Sequence, residues 1–143
     1  MTPGGSVLEP RASDTLLFAY GTLRRGGRHH RWIATSVRWL GPARLCGLLY
    51  DLGRYPGAQG SADPAHVVHG DLFAVRASPV ERFLVGLDRF EGSEYRRERV
   101  EVTRADGRAV SAWTYLFASD PSGLRRIESG DFLGDLRERS ELS

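Results

Sequence analysis

The stretch Leu16-Leu17-Phe18-Ala19-Tyr20-Gly21-Thr22-Leu23 (LLFAYGTL) carries the first clue to the fold. Five residues suited to a buried strand run straight into a glycine turn, followed by the Arg/Gly loop from Arg24 to Arg28. A strand that opens into such a turn leaves backbone N–H groups without ladder partners. Groups of that kind hold an oxyanion or a carboxylate where glycine lets the backbone come close. Taken alone, the segment reads as an ordinary strand and loop; a second segment, Leu87–Tyr95, changes the balance.

Around this stretch the composition is that of one soluble globular domain. The chain has 143 residues, 41% hydrophobic and 27% charged, enough for a real core but not for two domains. No apolar run approaches a membrane span; the strongest, Leu45-Cys46-Gly47-Leu48-Leu49-Tyr50, is far too short. The first residues, Met1-Thr2-Pro3-Gly4-Gly5-Ser6, lack the hydrophobic region of a secretory signal. The single cysteine excludes an intrachain disulfide, and Cys46 among leucines reads as a buried inert thiol. These features point to the cytoplasm. All 20 Lys/Arg positions are arginine. They are scattered from Arg11 to Arg139 and balanced by 18 acids, so no nucleic-acid-binding stripe forms and coding bias is the simpler explanation.

Residues 1–14 read as a flexible N-terminal tail, 15–131 as the folded domain and 132–143 as a charged C-terminal tail, helical or frayed. Leu16–Tyr20, Ala43–Leu52 and Val67–Val75 read as strands, with Gly53–Gly57 as a turn after the second. Gly70 inside the third signals a bulge or a close backbone approach. His29–Trp39 has a weak helical pattern. Ser78-Pro79-Val80-Glu81 reads as a capped helix start, with Val80, Phe83, Leu84 and Leu87 on one stripe and Gly92 as the stop. Tyr95–Thr103 and Arg108–Phe117 form a hairpin around Ala105-Asp106-Gly107. Strands outnumber helices, which favours an α+β fold over a doubly wound sheet.

The Ser78 helix puts a carboxylate on the wrong face. At roughly 100° per residue, Glu91 falls within about 20° of Val80, in the middle of the apolar stripe beside Leu87. Asp88 and Arg89 fall off it. A core-facing glutamate is costly unless paired, protonated or lining a cavity, and the helix C-terminus disfavours an anion further. Both effects raise a carboxyl pKa towards the value suited to a general base. The competing reading is structural: Gly92 lets Glu91 swing into solvent, or Arg96 or Arg97 neutralises it.

LLFAYGTLRRG (Leu16–Gly26), LYDLGRYPG (Leu49–Gly57), VHGDLFAV (Val68–Val75), LDRFEGSEYRRERVEV (Leu87–Val102) and AWTYLF (Ala112–Phe117) together resemble the gamma-glutamylcyclotransferase-like family, in its order and near its spacings. Ile127-Glu128-Ser129-Gly130-Asp131 is similar to the segment that closes many members. The resemblance spans about Leu16 to Asp131. It implies a small mixed β-barrel with flanking helices. It also implies an enzyme that releases the amine from a gamma-glutamyl amide while converting the glutamyl group to 5-oxoproline. It assigns the catalytic glutamate to Glu91, already singled out by its face. The loop holding the glutamyl group falls at Tyr20, Gly21, Thr22 and Leu23, and a tyrosine bordering the substrate at Tyr115. Thr22 stands where serine is common and keeps the hydroxyl.

That chemistry requires no metal and no cofactor. His66 and His69 in an extended strand do not share a face, and His29 and His30 in the Arg/Gly loop read as solvent-exposed or lining an entrance. No phosphate-binding or dinucleotide glycine pattern is present. The expected partner is a small-molecule gamma-glutamyl amide, with no nucleic acid and no membrane. Monomer and homodimer both stay open. The competing function is a non-catalytic small-molecule binding module using the same pocket.

Overall fold

The computed structural model describes residues 9–142, with side chains through residue 140. Seven strands, β1 (Leu16–Ala19), β2 (Val37–Asp51), β3 (Pro56–Gly60), β4 (Val67–Val75), β5 (Tyr95–Arg104), β6 (Ala109–Phe117) and β7 (Arg125–Arg126), accompany two helices, α1 (Val80–Glu91) and α2 (Phe132–Leu142). β1 lies between β4, antiparallel, and β6, parallel through Leu17↔Trp113. β2 pairs antiparallel with β4 and, at Ala43↔Arg104 and Arg44↔Thr103, with β5, which forms the hairpin with β6. Five strands therefore close into a mixed barrel, and the fold is α+β as expected. β3 and β7 extend the far half of β2.

The unbroken apolar run at β1 has a physical cause in this closure. Strand side chains alternate, and both faces of β1 are covered. Leu16, Phe18 and Tyr20 point into a barrel interior shared with Leu40, Leu45, Val68, Leu72 and Val102. Leu17 and Ala19 point outward into a second core with Phe73, Val75, Leu87 and Tyr115, against which Val80 and Phe83 pack. Fully burying a leucine such as Leu87 contributes about 1.5–3 kcal/mol, so the stripe of α1 is what fastens the helix to the barrel. Gly70 is the close approach its sequence position suggests: a Cβ there would lie 2.5 Å from the Ala19 carbonyl oxygen and 2.6 Å from the Phe18 ring. The bulge lies instead in β2, between Trp39 and Gly41.

The Ile127–Asp131 segment packs along β2 and β4 at the end where β1 leaves the barrel. The Ile127 N–H donates to the Leu49 carbonyl at 2.8 Å, and the His69 N–H to that of Gly130 at 2.8 Å. Gly130, at φ 68°, sits so close to Val67 that a side chain there would collide with the strand.

Several local expectations change. The helical pattern over His29–Trp39 reduces to a 3-10 turn at His30–Trp32, because Val37 onward is recruited to the β4 ladder (Val37↔Val75). The turn at Gly53–Gly57 is shorter than expected: Pro56 and Gly57 already belong to β3, with Tyr50 opposite Gly57. Cys46 is exposed, not buried; it alternates with the inward Leu45 along β2, and its thiol reaches the Asp63 carbonyl at 3.0 Å. At the start of α1, Pro79 takes the N-cap position with extended backbone and no side-chain cap forms, whereas Gly92 ends the helix at φ 79°. Residues 1–8 of the expected N-terminal tail lie outside the described residues. Within its remainder, Glu9 pairs with Arg108 and Asp14 with Arg38. At the other end Phe132 is fully buried and opens α2. No helix among the described residues is long and apolar enough to cross a membrane.

Candidate active site

Where β1 ends, its last residues, the C-terminus of α1, the start of β5 and the middle of β6 converge on one cleft. It is lined by Tyr20–Leu23, Glu91, Tyr95, Thr114 and Tyr115, with Tyr55 and Pro56 at its edge. All six positions singled out in the sequence (Tyr20, Gly21, Thr22, Leu23, Glu91 and Tyr115) line this single cavity. They come from three elements far apart in the chain, and barrel closure is what joins them.

Glu91 is half-buried, and neither of the structural alternatives for it is realised. Arg97 is engaged with Asp88 at 2.8 Å and Arg96 with Glu98 at 2.6 Å. Among the described residues no cation and no hydrogen-bond donor meets the Glu91 carboxyl. Burial without compensation pushes its pKa up to about 7.

The loop opposite is held from behind. The Tyr20 hydroxyl donates to the Tyr115 carbonyl at 2.5 Å and accepts the Ala58 N–H at 3.1 Å, tying β1 to β6 and β3. Its side chain is therefore an anchor, while its backbone turns into the cleft. Burial raises the Tyr20 phenol well above its ordinary value. A Cβ on Gly21 would meet the Pro56 ring at 2.9 Å, so glycine is required here for the loop to pack on β3. Gly27 folds the loop back, its N–H bonding the Arg24 carbonyl at 2.7 Å, and the His29 N–H reaches the Thr22 carbonyl at 3.0 Å. Among the described residues, the N–H groups of Gly21, Thr22 and Leu23 donate to nothing else.

Three supporting residues escaped the sequence reading. Asp71 in β4 is a buried carboxylate that accepts from Arg24 Nε at 3.4 Å, the Arg25 N–H at 3.0 Å and Trp39 Nε1 at 3.3 Å, and Arg24 continues to Asp131 at 3.0 Å. The Arg/Gly loop is thus clamped to the barrel wall rather than loose. Asp88 lies off the apolar stripe, yet it accepts the Tyr115 hydroxyl at 2.6 Å. Tyr95 donates to the Pro56 carbonyl at 2.6 Å and walls the cleft between β3 and β5. An acid in the middle of a hydrophobic strand, HGDLF, was the available signal for Asp71. Asp88 and Tyr95 stand inside the motif LDRFEGSEYRRERVEV, but nothing in it gives their partners, which are set by tertiary packing.

Beyond Glu91 the cleft widens into an outer chamber that shares Thr22, Tyr55, Glu91 and Tyr95 and adds Arg28, His29, Arg54 and Phe90. His29 stands edge-on to Phe90 at 5.4 Å, with its Nδ1 buried and unpartnered. It is not the freely solvated histidine of one reading but part of the entrance wall. His30 turns away, its Nδ1 on the Leu23 carbonyl at 2.9 Å. Among the described residues no three His, Cys, Asp or Glu side chains group as metal ligands would.

The comparisons agree with this architecture. The family described as gamma-glutamyl cyclotransferase, AIG2-like, matches residues 17–134. The gamma-glutamylcyclotransferase family protein YtfP of Escherichia coli K12 is 34% identical over 121 residues, covering 82% of this chain and 95% of its own. Among solved structures, PH0828 of Pyrococcus horikoshii superposes with a TM-score of 0.65 at 27% identity, covering 89% of this chain and 97% of that one. YkqA of Bacillus subtilis does so at 0.70 and 26% identity, but this chain spans only 43% of that longer protein. The chain belongs to the AIG2-like gamma-glutamyl cyclotransferase family.

Proposed function

We propose that the protein is a gamma-glutamyl cyclotransferase: it releases an amine or amino acid from a gamma-glutamyl amide and forms 5-oxoproline. The observation that carries this reading is the unpartnered Glu91 carboxyl, poised near pKa 7 across one cleft from the free N–H groups of Gly21, Thr22 and Leu23.

The substrate brings both nucleophile and electrophile. Glu91 takes a proton from the α-ammonium of the glutamyl unit and frees its lone pair. The α-nitrogen attacks the gamma-carbonyl carbon, forming the C–N bond of a five-membered ring. Holding the two groups in attack geometry supplies roughly 7–11 kcal/mol of the barrier. The developing oxyanion is met by the N–H groups of the Tyr20–Leu23 loop, with the Thr22 hydroxyl beside them. The original amide C–N bond then breaks. Glu91 returns its proton to the departing nitrogen, and the second proton shed by the ring nitrogen leaves with that amine as its ammonium. Tyr115, whose own hydroxyl proton is committed to Asp88, offers an oxygen lone pair to the glutamyl α-ammonium.

The test is 5-oxoproline formation from a panel of gamma-glutamyl amides by the wild type and Glu91→Gln. Product from the wild type but not the variant supports the reaction and its base together. Equal product from both removes Glu91 from the mechanism, and no product from either removes the reaction.

A further inference from the structure

We infer that Arg28 and Arg54 recognise the departing half of the substrate and that this half is acidic: the preferred substrates are gamma-glutamyl amides whose leaving amine carries carboxylates. The inference rests on the cyclotransferase reading and deepens it.

The direction of the substrate follows from the two chambers. Glu91 must reach both the α-nitrogen and the departing nitrogen. It lies on the shared boundary, so a glutamyl group in the inner cleft sends its leaving amine into the outer chamber. That chamber presents two guanidiniums and, apart from Glu91, no carboxylate. Arg28 is set in the tight loop beyond Thr22, and its Nη2 donates to the Arg54 carbonyl at 2.9 Å, holding it against the β2–β3 turn. That turn is itself shaped by Asp51, which accepts the Gly53 N–H at 2.7 Å. Neither Arg28 nor Arg54 has an acidic partner among the described residues. Other arginines around the site are consumed: Arg24 by Asp71 and Asp131, Arg97 by Asp88, Arg125 and Arg139 by Asp51 and Asp135. Two uncompensated guanidiniums on the exit path suit a carboxylate in fork geometry and repel an amine that carries a further positive charge. Once Glu91 has accepted its proton, the rim bears positive charge only.

Four substrates grade the charge of the leaving amine: gamma-glutamyl-glutamate, gamma-glutamyl-alanine, gamma-glutamyl-ethylamide and gamma-glutamyl-1,4-diaminobutane. At low salt, kcat/KM should fall in that order, by about threefold to tenfold per charge step and mainly through KM. Arg54→Gln, which removes a side chain that makes no hydrogen bond or ion pair among the described residues, should compress the span, and Arg28→Gln/Arg54→Gln should bring it close to one. Added salt should compress it in the wild type. A wild type that turns over the ethylamide or the diamine derivative as well as the glutamate, or a double variant that keeps the full span, overturns the inference. If no substrate yields 5-oxoproline, the cyclotransferase reading fails first. Calorimetric binding of the same four compounds to Glu91→Gln then decides this one. Affinity that follows the number of carboxylates and is lost with both arginines supports it; uniform affinity sinks it.

Discussion

The hydroxyl of Tyr115 donates to Oδ1 of Asp88 at 2.6 Å, across the seam between the barrel and α1. The same carboxylate receives Arg97 at 2.8 and 3.3 Å. Burial would raise the Asp88 carboxyl, but the bonds from Arg97 and Tyr115 outweigh it and hold it below its ordinary value, so it stays an anion and an acceptor. The tyrosine proton is therefore spoken for, and the tyrosine oxygen is left to accept.

Removing that anion should disturb the cleft-lining Tyr115 without touching Glu91, the proposed base. Asp88→Ala loses a charge-assisted bond of about 1.5–3 kcal/mol, so kcat/KM should fall roughly tenfold to a hundredfold, more in KM than in kcat. Asp88→Asn, which still accepts from Tyr115, should lose less. Steady-state kinetics on both variants check this, and equal losses would exclude a role through Tyr115.

Glu91→Gln keeps size and polarity but cannot take a proton. Turnover should drop by about 10²–10⁴-fold while the fold survives. Stability should move the opposite way. A carboxyl whose pKa is raised from 4.5 to about 7 on folding binds its proton more tightly in the native state, so native stability declines as pH climbs through that window. At pH 8 the variant should be more stable by about 1–3 kcal/mol, with the gain vanishing below pH 4.5. Thermal melts at pH 4 and pH 8 test the sign.

The pH–rate profile should report the same group. Only the ionised carboxyl accepts a proton, so kcat/KM should rise with pH, about tenfold per unit, and level off above about 7. The residual rate of Glu91→Gln should lack that limb. A wild-type limb near the ordinary carboxylate value would contradict the desolvated setting of Glu91.

Gly70→Ala and Gly21→Ala separate fold from site. At Gly70 the new Cβ meets a backbone carbonyl at 2.5 Å and a packed ring at 2.6 Å, neither free to yield, so destabilisation of about 1–3 kcal/mol is expected. At Gly21 it meets the Pro56 ring at 2.9 Å, in the cleft wall itself, and the loop must shift. Denaturant titration should show the larger stability loss at Gly70. Kinetics should show the larger activity loss, relative to stability, at Gly21.

Much of this was already determined by the sequence alone, wherever the cause is local. The apolar run Val67–Val75 marked a strand, the Ala105-Asp106-Gly107 turn marked a hairpin, and Gly92 set the helix end. Glu91 was legible because the helical repeat fixes an angle from residue numbers alone, and the four apolar positions Val80, Phe83, Leu84 and Leu87 tell which face is inside. Tertiary structure decided everything that needed a partner. The weak helical pattern before Val37 yielded to the β4 ladder, because a strand edge beside Phe73 and Val75 satisfies backbone groups that a short helix leaves open. Cys46 is exposed despite its leucine neighbours because burial follows the alternating face, not the neighbourhood. Asp88 showed no sign of its tyrosine, nor Asp71 of its arginine loop, since their partners lie 27 and 47 positions away. A residue's angle on its own element follows from covalent geometry, but what stands opposite it exists only once the barrel has closed.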